Sequence, residues 1–201
     1  MLPTRQDVAI ILCGGGEPWA ELDAAATLCL MAGSPKIELF IGNDMIAEYP
    51  GKVEHALTLH PDKLATCWTG PRRTKGYPTP DKVWAHRPFT GITHWTRDWS
   101  GSTGLFAVKV ARELGFVHII LCGVHMSEAS GHFIRNQPWQ AADQFRKAWV
   151  MRLPQLRPYV RSFGGWTKDN LGEPTVEWLR ETIEDQHRQP APPTIGQGLK
   201  A

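Results

Sequence analysis

Residues 100–123 read Ser-Gly-Ser-Thr-Gly-Leu-Phe-Ala-Val-Lys-Val-Ala-Arg-Glu-Leu-Gly-Phe-Val-His-Ile-Ile-Leu-Cys-Gly, and their pattern decides the fold. A glycine-rich turn opens the stretch, residues 105–114 carry apolar positions at helical spacing, and Gly115 stops the helix. Residues 117–122 are too few for a helix and apolar nearly throughout, as in a strand buried on both faces of a parallel sheet. The stretch therefore predicts one helix–strand unit of an α/β domain.

The same alternation extends in both directions. Residues 8–13, Val-Ala-Ile-Ile-Leu-Cys, predict a strand that ends in Gly14, Gly15 and Gly16, and Pro18 opens a helix over residues 19–31. Residues 37–41 predict a second strand ending at Gly42-Asn43-Asp44, and residues 53–59 a third ending at His60-Pro61. Residues 82–85 form a short fourth strand ending at His86, after an exposed, Pro- and Arg-rich loop over residues 70–80. Further on, Pro138 opens a helix through Met151, residues 159–163 make a last short strand, and Thr175 caps a helix reaching about Gln186, with Glu177 in its first turn. Residues 187–201 are polar and rich in Pro and Gly, the composition of a disordered tail. The reading is one α/β domain over residues 1–186, three layers around a mostly parallel central sheet, without internal repeats.

Composition excludes several classes. The chain has 201 residues, 42% hydrophobic, enough for a core without staples. Its 19 glycines and 16 prolines stay below the roughly 25–30% share of low-complexity chains. Lys and Arg number 22 against 20 Asp and Glu, so a formal charge of +2 supplies no field toward nucleic acid or anionic lipid. The four cysteines, Cys13, Cys29, Cys67 and Cys122, show no Cys-x-x-Cys pair and point to a reducing, cytoplasmic compartment. No run reaches the 18 or more apolar residues of a membrane span.

In parallel sheets ligands bind beyond the carboxyl ends of the strands, where the strand order reverses. The candidate binding residues are then Gly14, Gly15, Gly16 and Glu17 after the first strand, Asn43 and Asp44 after the second, and Ser100, Gly101, Ser102 and Thr103 before the central helix. Glycine turns and helix N-termini offer backbone amides to an anion such as phosphate. Glu17 suits a ribose hydroxyl or a helix cap, and Ser102 and Thr103 suit either phosphate or an N-cap. His60, His86 and His125 each end a strand, and His60 and His125 are the candidate general bases, since imidazole titrates near neutrality. Arg72, Arg73 and Lys75 read first as a solvated charge run and second as candidates to close over phosphates. His94, Trp95, Arg97 and Trp99 either cover a base or pack the loop. Cys122, His125 and His132 fit no closed zinc site, and no metal-ligating residue is assigned.

The glycine turn, the Gly-Asn-Asp after strand two, the His-Pro after strand three, and Ser-Gly-Ser-x-Gly leading to Ile-Ile-Leu-Cys-Gly-Val carry a resemblance. Over residues 8–126 the chain resembles the Rossmann-like superfamily of hydroxymethylpterin diphosphokinases and flagellin-glycosylation-associated proteins, and more remotely bacterial sialyltransferases. It is also similar to uncharacterised proteins of tailed phages and prophages. The resemblance implies a Rossmann-like fold in which Gly14, Gly16, Asn43 and residues 100–104 hold the phosphates and base or ribose of a nucleotide. His125 stands where these relatives commonly carry aspartate, and an imidazole is a poorer Mg²⁺ ligand than a carboxylate. The expected function is that of a nucleotide- or nucleotide-sugar-binding transferase, for glycosyl or phosphoryl transfer, with Mg²⁺ as its possible companion ion and with oligomerisation open. The alternative is a non-catalytic Rossmann-like binding or phage accessory protein, acting in the cytoplasm of an infected cell.

Overall fold

The computed structural model describes residues 5–33, 35–134 and 141–181. Seven strands form one sheet: β1 (Arg5–Leu12), β2 (Ile37–Gly42), β3 (His55–Thr58), β4 (Lys82–Ala85), β5 (His94–Trp95), β6 (Phe116–Cys122) and β7 (Val160–Ser162). Every pairing is parallel and the spatial order is β5-β4-β3-β2-β1-β6-β7. The chain walks outward from β1 to β5, then crosses back to place β6 on the other side of β1. That reversal makes the crevice above β1 and β6 the topological switch point of a Rossmann-like three-layer fold.

Helices cover both faces, as parallel crossovers require. One face carries α1 (Pro18–Met31), α2 (Asp44–Glu48) and, near the C-terminus, α7 (Val176–Arg180). Between them run a π-helical turn (Leu64–Thr69) and the short α3 (Gly70–Thr74). Val8, Ile10 and Leu12 of β1 point into this layer beside Ala25, Met45, Trp68 and Trp178. The other face carries α4 (Thr103–Glu113), α5 (Ala142–Leu156) and α6 (Gly165–Leu171). Ala9 and Ile11 point there, against Phe106, Val110 and Trp149. The continuous apolar run of β1 thus serves two cores at once. In β6 every residue is buried, and its one polar side chain, His118, meets the Trp178 ring edge-on at 4.9 Å.

The expected strands and the central helix are present, with shifts that have local causes. The third strand begins at His55 rather than residue 53, because only residues from His55 onward pair with both Phe40 of β2 and Lys82 of β4. Helix α5 continues past Met151 to Leu156 and takes Pro154 inside it, which brings Leu153 and Leu156 into the core. Several short elements were not expected: α2, the π-helical turn, β5 and α6.

The largest correction concerns residues 70–80, read above as an exposed loop. Gly70–Thr74 is helical, and Arg72 is 1% exposed. Its guanidinium donates to the carbonyls of Ile46, Tyr49, Gly51 and Pro78 at 2.5–3.0 Å, a set of acceptors that a planar fork of donors satisfies. Lys75 reaches the Ala47 carbonyl and Glu48 at 3.1 and 2.6 Å. Arg72 and Lys75 therefore staple this segment to α2 and are not free to close over phosphates. The expected helix start at Pro138 and the tail over residues 187–201 lie outside the described residues.

Candidate functional site

The register aligns the carboxyl ends of the central strands, with Leu12 opposite both Ile41 and Cys122, and Gly42 opposite Leu57. The loops leaving these ends therefore start from one rim. They enclose a cleft of about 450 Å³, lined by Cys13, Gly14 and Gly15 after β1, residues 42–44 after β2, and Leu59 and His60 after β3. Residues 101–104 at the start of α4 and residues 123–127 after β6 complete it with Ser130, Gly131, His132 and Phe145. The structure thus gathers Gly14, Gly15, Asn43, Asp44, His60, Gly101, Ser102, Thr103 and His125 at one place. Gly16 and Glu17 border a neighbouring hollow instead, while Ser100 and His86 line neither.

The glycine turn does less for an anion than its composition implies. The Gly15 amide donates to the Gly123 carbonyl at 2.9 Å, and the Gly16 amide to the Gly131 carbonyl at 3.3 Å. Two of the three amides are spent on holding the β1 and β6 loops together, so fewer remain for an anion than a glycine turn can offer. The close approach leaves no room for side chains: a Cβ on Gly123, whose φ is +68°, would lie 2.0 Å from the Cys13 carbonyl oxygen. Glu17 stands exposed before α1 and makes no side-chain cap.

The amides open to a ligand lie at α4. Ser102 caps the helix, its Oγ accepting from the Leu105 amide at 3.3 Å and from the buried Trp149 indole at 3.2 Å. The amides of Thr103 and Gly104 have no acceptor among the described residues. Both residues line the cleft at the positive end of an eleven-residue helix, where an anionic oxygen is favoured. Thr103 also donates its hydroxyl to Asn43 at 3.4 Å.

Asn43 occupies a strained turn, with φ 50° and ψ −120°. Its Oδ1 accepts from the Thr58 hydroxyl at 3.1 Å, and that hydroxyl in turn accepts the His60 amide at 2.8 Å. The chain of bonds orients the carboxamide and leaves its Nδ2 protons without an acceptor among the described residues, on a residue that lines the cleft. Asp44 is already engaged: Oδ1 accepts from the Trp68 indole at 2.8 Å, and Oδ2 lies 3.3 Å from His132 Nε2. No Lys or Arg lines the cleft among the described residues, so charge on a ligand would be met by backbone amides and by the imidazoles of His60 and His132. Burial pushes the Cys13 thiol up to about 12 and the Cys122 thiol well above its ordinary range, so neither is a thiolate nucleophile at neutral pH.

The two candidate bases differ in setting. His60 is exposed at the mouth of the cleft, and its ring makes no hydrogen bond among the described residues. His125 is enclosed. Its Nε2 meets the Glu21 carboxylate, whose other oxygen accepts the Gly123 amide at 2.8 Å. Both side chains are 12% exposed. The ring sits in a slot between Gly16 and Gly164, where a Cβ would come within 2.0 and 2.4 Å of it.

Glu21 was not among the expected site residues. It lies on α1, 102 residues from Gly123 and 104 from His125, and its one signal is an acidic residue in the first turn of a helix that follows a glycine turn. His94, Trp95 and Trp99 do not line the cleft. His94 packs on Trp84 with ring centroids 4.7 Å apart, and Trp99 lies under the Arg152 guanidinium at 5.1 Å. Among the described residues no three His, Cys, Asp or Glu side chains are placed to hold a metal ion, and no helix is long and apolar enough to cross a membrane. No protein-family model, curated protein or solved structure matches the chain.

Proposed function

We propose that the protein is a cytoplasmic transferase that binds a nucleotide or nucleotide-sugar in the cleft at the carboxyl edge of the sheet, and moves a glycosyl or phosphoryl group from it. One observation carries the reading: at the switch point of a parallel sheet, the unpaired amides of Thr103 and Gly104 share a 450 Å³ cleft with the preoriented carboxamide of Asn43. The α4 amides are suited to diphosphate oxygens, and the Asn43 Nδ2 protons to a base or sugar acceptor. Glycosyl transfer fits the residues better than metal-assisted phosphoryl transfer, because the described residues offer no carboxylate cluster for divalent ions. Rate enhancement would come from positioning and from stabilising the leaving diphosphate.

The test is a thermal-shift screen against mono-, di- and triphosphate nucleotides and nucleotide-sugars, with and without Mg²⁺. A ligand at about 100 times its Kd stabilises by roughly 2.7 kcal/mol, which raises the melting temperature of a chain of this size by about 5–11 °C. Asn43→Ala should abolish the shift. A flat panel would remove the nucleotide reading.

A second reading, a non-catalytic binding or phage accessory protein on the same scaffold, is favoured by the paired amides of Gly15 and Gly16, which leave the first turn without a phosphate cradle. The same screen separates the two, since this reading expects no nucleotide shift.

A further inference from the structure

Glu21 and His125 are placed for proton transfer in a way that the cleft alone does not require. A carboxylate only accepts, so the Glu21 oxygen facing Nε2 fixes the proton of a neutral ring on that nitrogen and leaves Nδ1 with a lone pair. Nδ1 makes no hydrogen bond with the described residues. The glycine slot fixes the ring plane, and the Gly123 amide fixes the carboxylate. This is the arrangement of an oriented general base: a base within reach of a substrate and a third group that sets its tautomer.

His125 also borders both cavities. Beyond it lies a hollow of about 490 Å³, lined by Glu17, Ala20, Glu21, Ala24, Ser130, Phe163 and the glycines of the slot. The Glu17 carboxylate and the Ser130 hydroxyl suit hydroxyl groups, and the Phe163 ring suits a C–H face, a combination that fits a sugar or similar polyol.

We propose that Glu21 and His125 form the proton-accepting pair of the site, with His125 Nδ1 taking the proton of a hydroxyl-bearing acceptor seated in this hollow. The inference rests on the transferase reading above and supplies its second substrate. In the step, the acceptor O–H bond breaks and its proton goes to Nδ1, while the oxygen bonds to the anomeric carbon of the nucleotide-sugar. The bond from that carbon to the diphosphate oxygen breaks, and its electron pair leaves with the nucleoside diphosphate. His125 is then the catalytic residue and Glu21 a positioning residue.

Long-range ¹H–¹⁵N correlation on the full chain reads the tautomer directly. The wild type should show protonated Nε2 and unprotonated Nδ1 at His125. In Glu21→Gln, the amide oxygen can keep the Gly123 bond while its NH₂ faces the imidazole, so the tautomer should invert to protonated Nδ1. Protonated Nδ1 in the wild type overturns the proposal and needs no variant to be seen. So does a Glu21→Gln spectrum identical to the wild type.

The activity arm measures nucleoside diphosphate release from whichever nucleotide-sugar shifts the melting temperature, with methyl glycosides as acceptor probes. Glu21→Gln should lower it by about 10²-fold or more while leaving the donor's melting shift unchanged. A retained rate with intact donor binding sinks the pair and spares the transferase reading. A panel in which no donor binds sinks that reading, and with it the acceptor role assigned here.

Discussion

Asn43 sits where an L side chain is costly and an amide is useful, so its substitutions separate backbone from function. At φ 50° and ψ −120°, glycine is the residue that pays least. Asn43→Gly should therefore be more stable than Asn43→Ala by about 1 kcal/mol, while both lose the carboxamide and any nucleotide affinity. Urea midpoints read the first difference and thermal shift the second. Equal stability of the two would show that the turn relaxes. The slot around His125 allows a similar separation. Gly164 has an extended backbone, so Gly164→Ala changes only the space beside the imidazole, whereas Gly16→Ala adds a left-handed φ of +61° to the same clash. Both should displace the His125 ring resonances, and Gly16→Ala should cost about 1–3 kcal/mol more. An undisturbed ring in Gly164→Ala would mean that the slot is not tight.

Among the elements, α4 and α3 have the clearest tests. Ser102 belongs to the helix before it belongs to any ligand, since its Oγ holds both the Leu105 amide and the Trp149 indole. Ser102→Ala should cost about 1 kcal/mol for the cap, plus roughly 1–3 kcal/mol for the buried indole left unpaired. Chemical denaturation checks this, and Ser102→Thr should recover part of it. Arg72→Lys should destabilise by about 3 kcal/mol or more, because a single ammonium cannot serve the four carbonyls that the guanidinium joins. Near-wild-type stability of that variant would remove the staple.

These two elements also mark what the sequence made legible. The cap was readable because Ser before an apolar helical run has a local cause, and β1 and β6 were readable because burial on both faces leaves an unbroken apolar run. Arg72 was not, since its acceptors come from residues 46, 49, 51 and 78, and a Pro- and Arg-rich segment looks the same whether its guanidinium is solvated or buried. The site divides in the same way. Strand-end loops place Asn43, His60 and His125 by topology alone, but the Glu21 carboxylate meets its partners only across the tertiary fold. The glycine turn shows the converse: its composition announces free amides, and the neighbouring loop consumes two of the three.

At the scale of the molecule, two histidines make stability depend on pH. Burial lowers the affinity of His55 and His118 for a proton below the usual value near 6.5. The Trp84 indole donates to His55 Nδ1 at 3.0 Å, so the neutral ring turns its Nε2–H to Glu38 at 3.0 Å. The unfolded chain takes up protons near pH 6.5 that the folded chain refuses, so the contribution is complete above that pH and is lost as pH falls below it. Melting temperature should hold between pH 8 and 7 and decline toward pH 5, with a shallower decline in His118→Gln. A decline of unchanged slope in that variant would assign the dependence to other groups.

The strand order also bears on the birth of the molecule. Of the seven strands β1 leaves the ribosome before the others, yet it occupies the middle of the sheet and pairs on one side with β6, whose residues begin at Phe116. Until then the nascent chain carries one open strand edge along the apolar run of residues 8–12, the kind of surface that chaperones engage. The cleft lacks its far wall for the same interval, so a chain that stalls before residue 125 has neither the imidazole nor the loop that anchors Glu21. The rim of the candidate cleft is therefore complete only once the segment through residue 125 has joined β1.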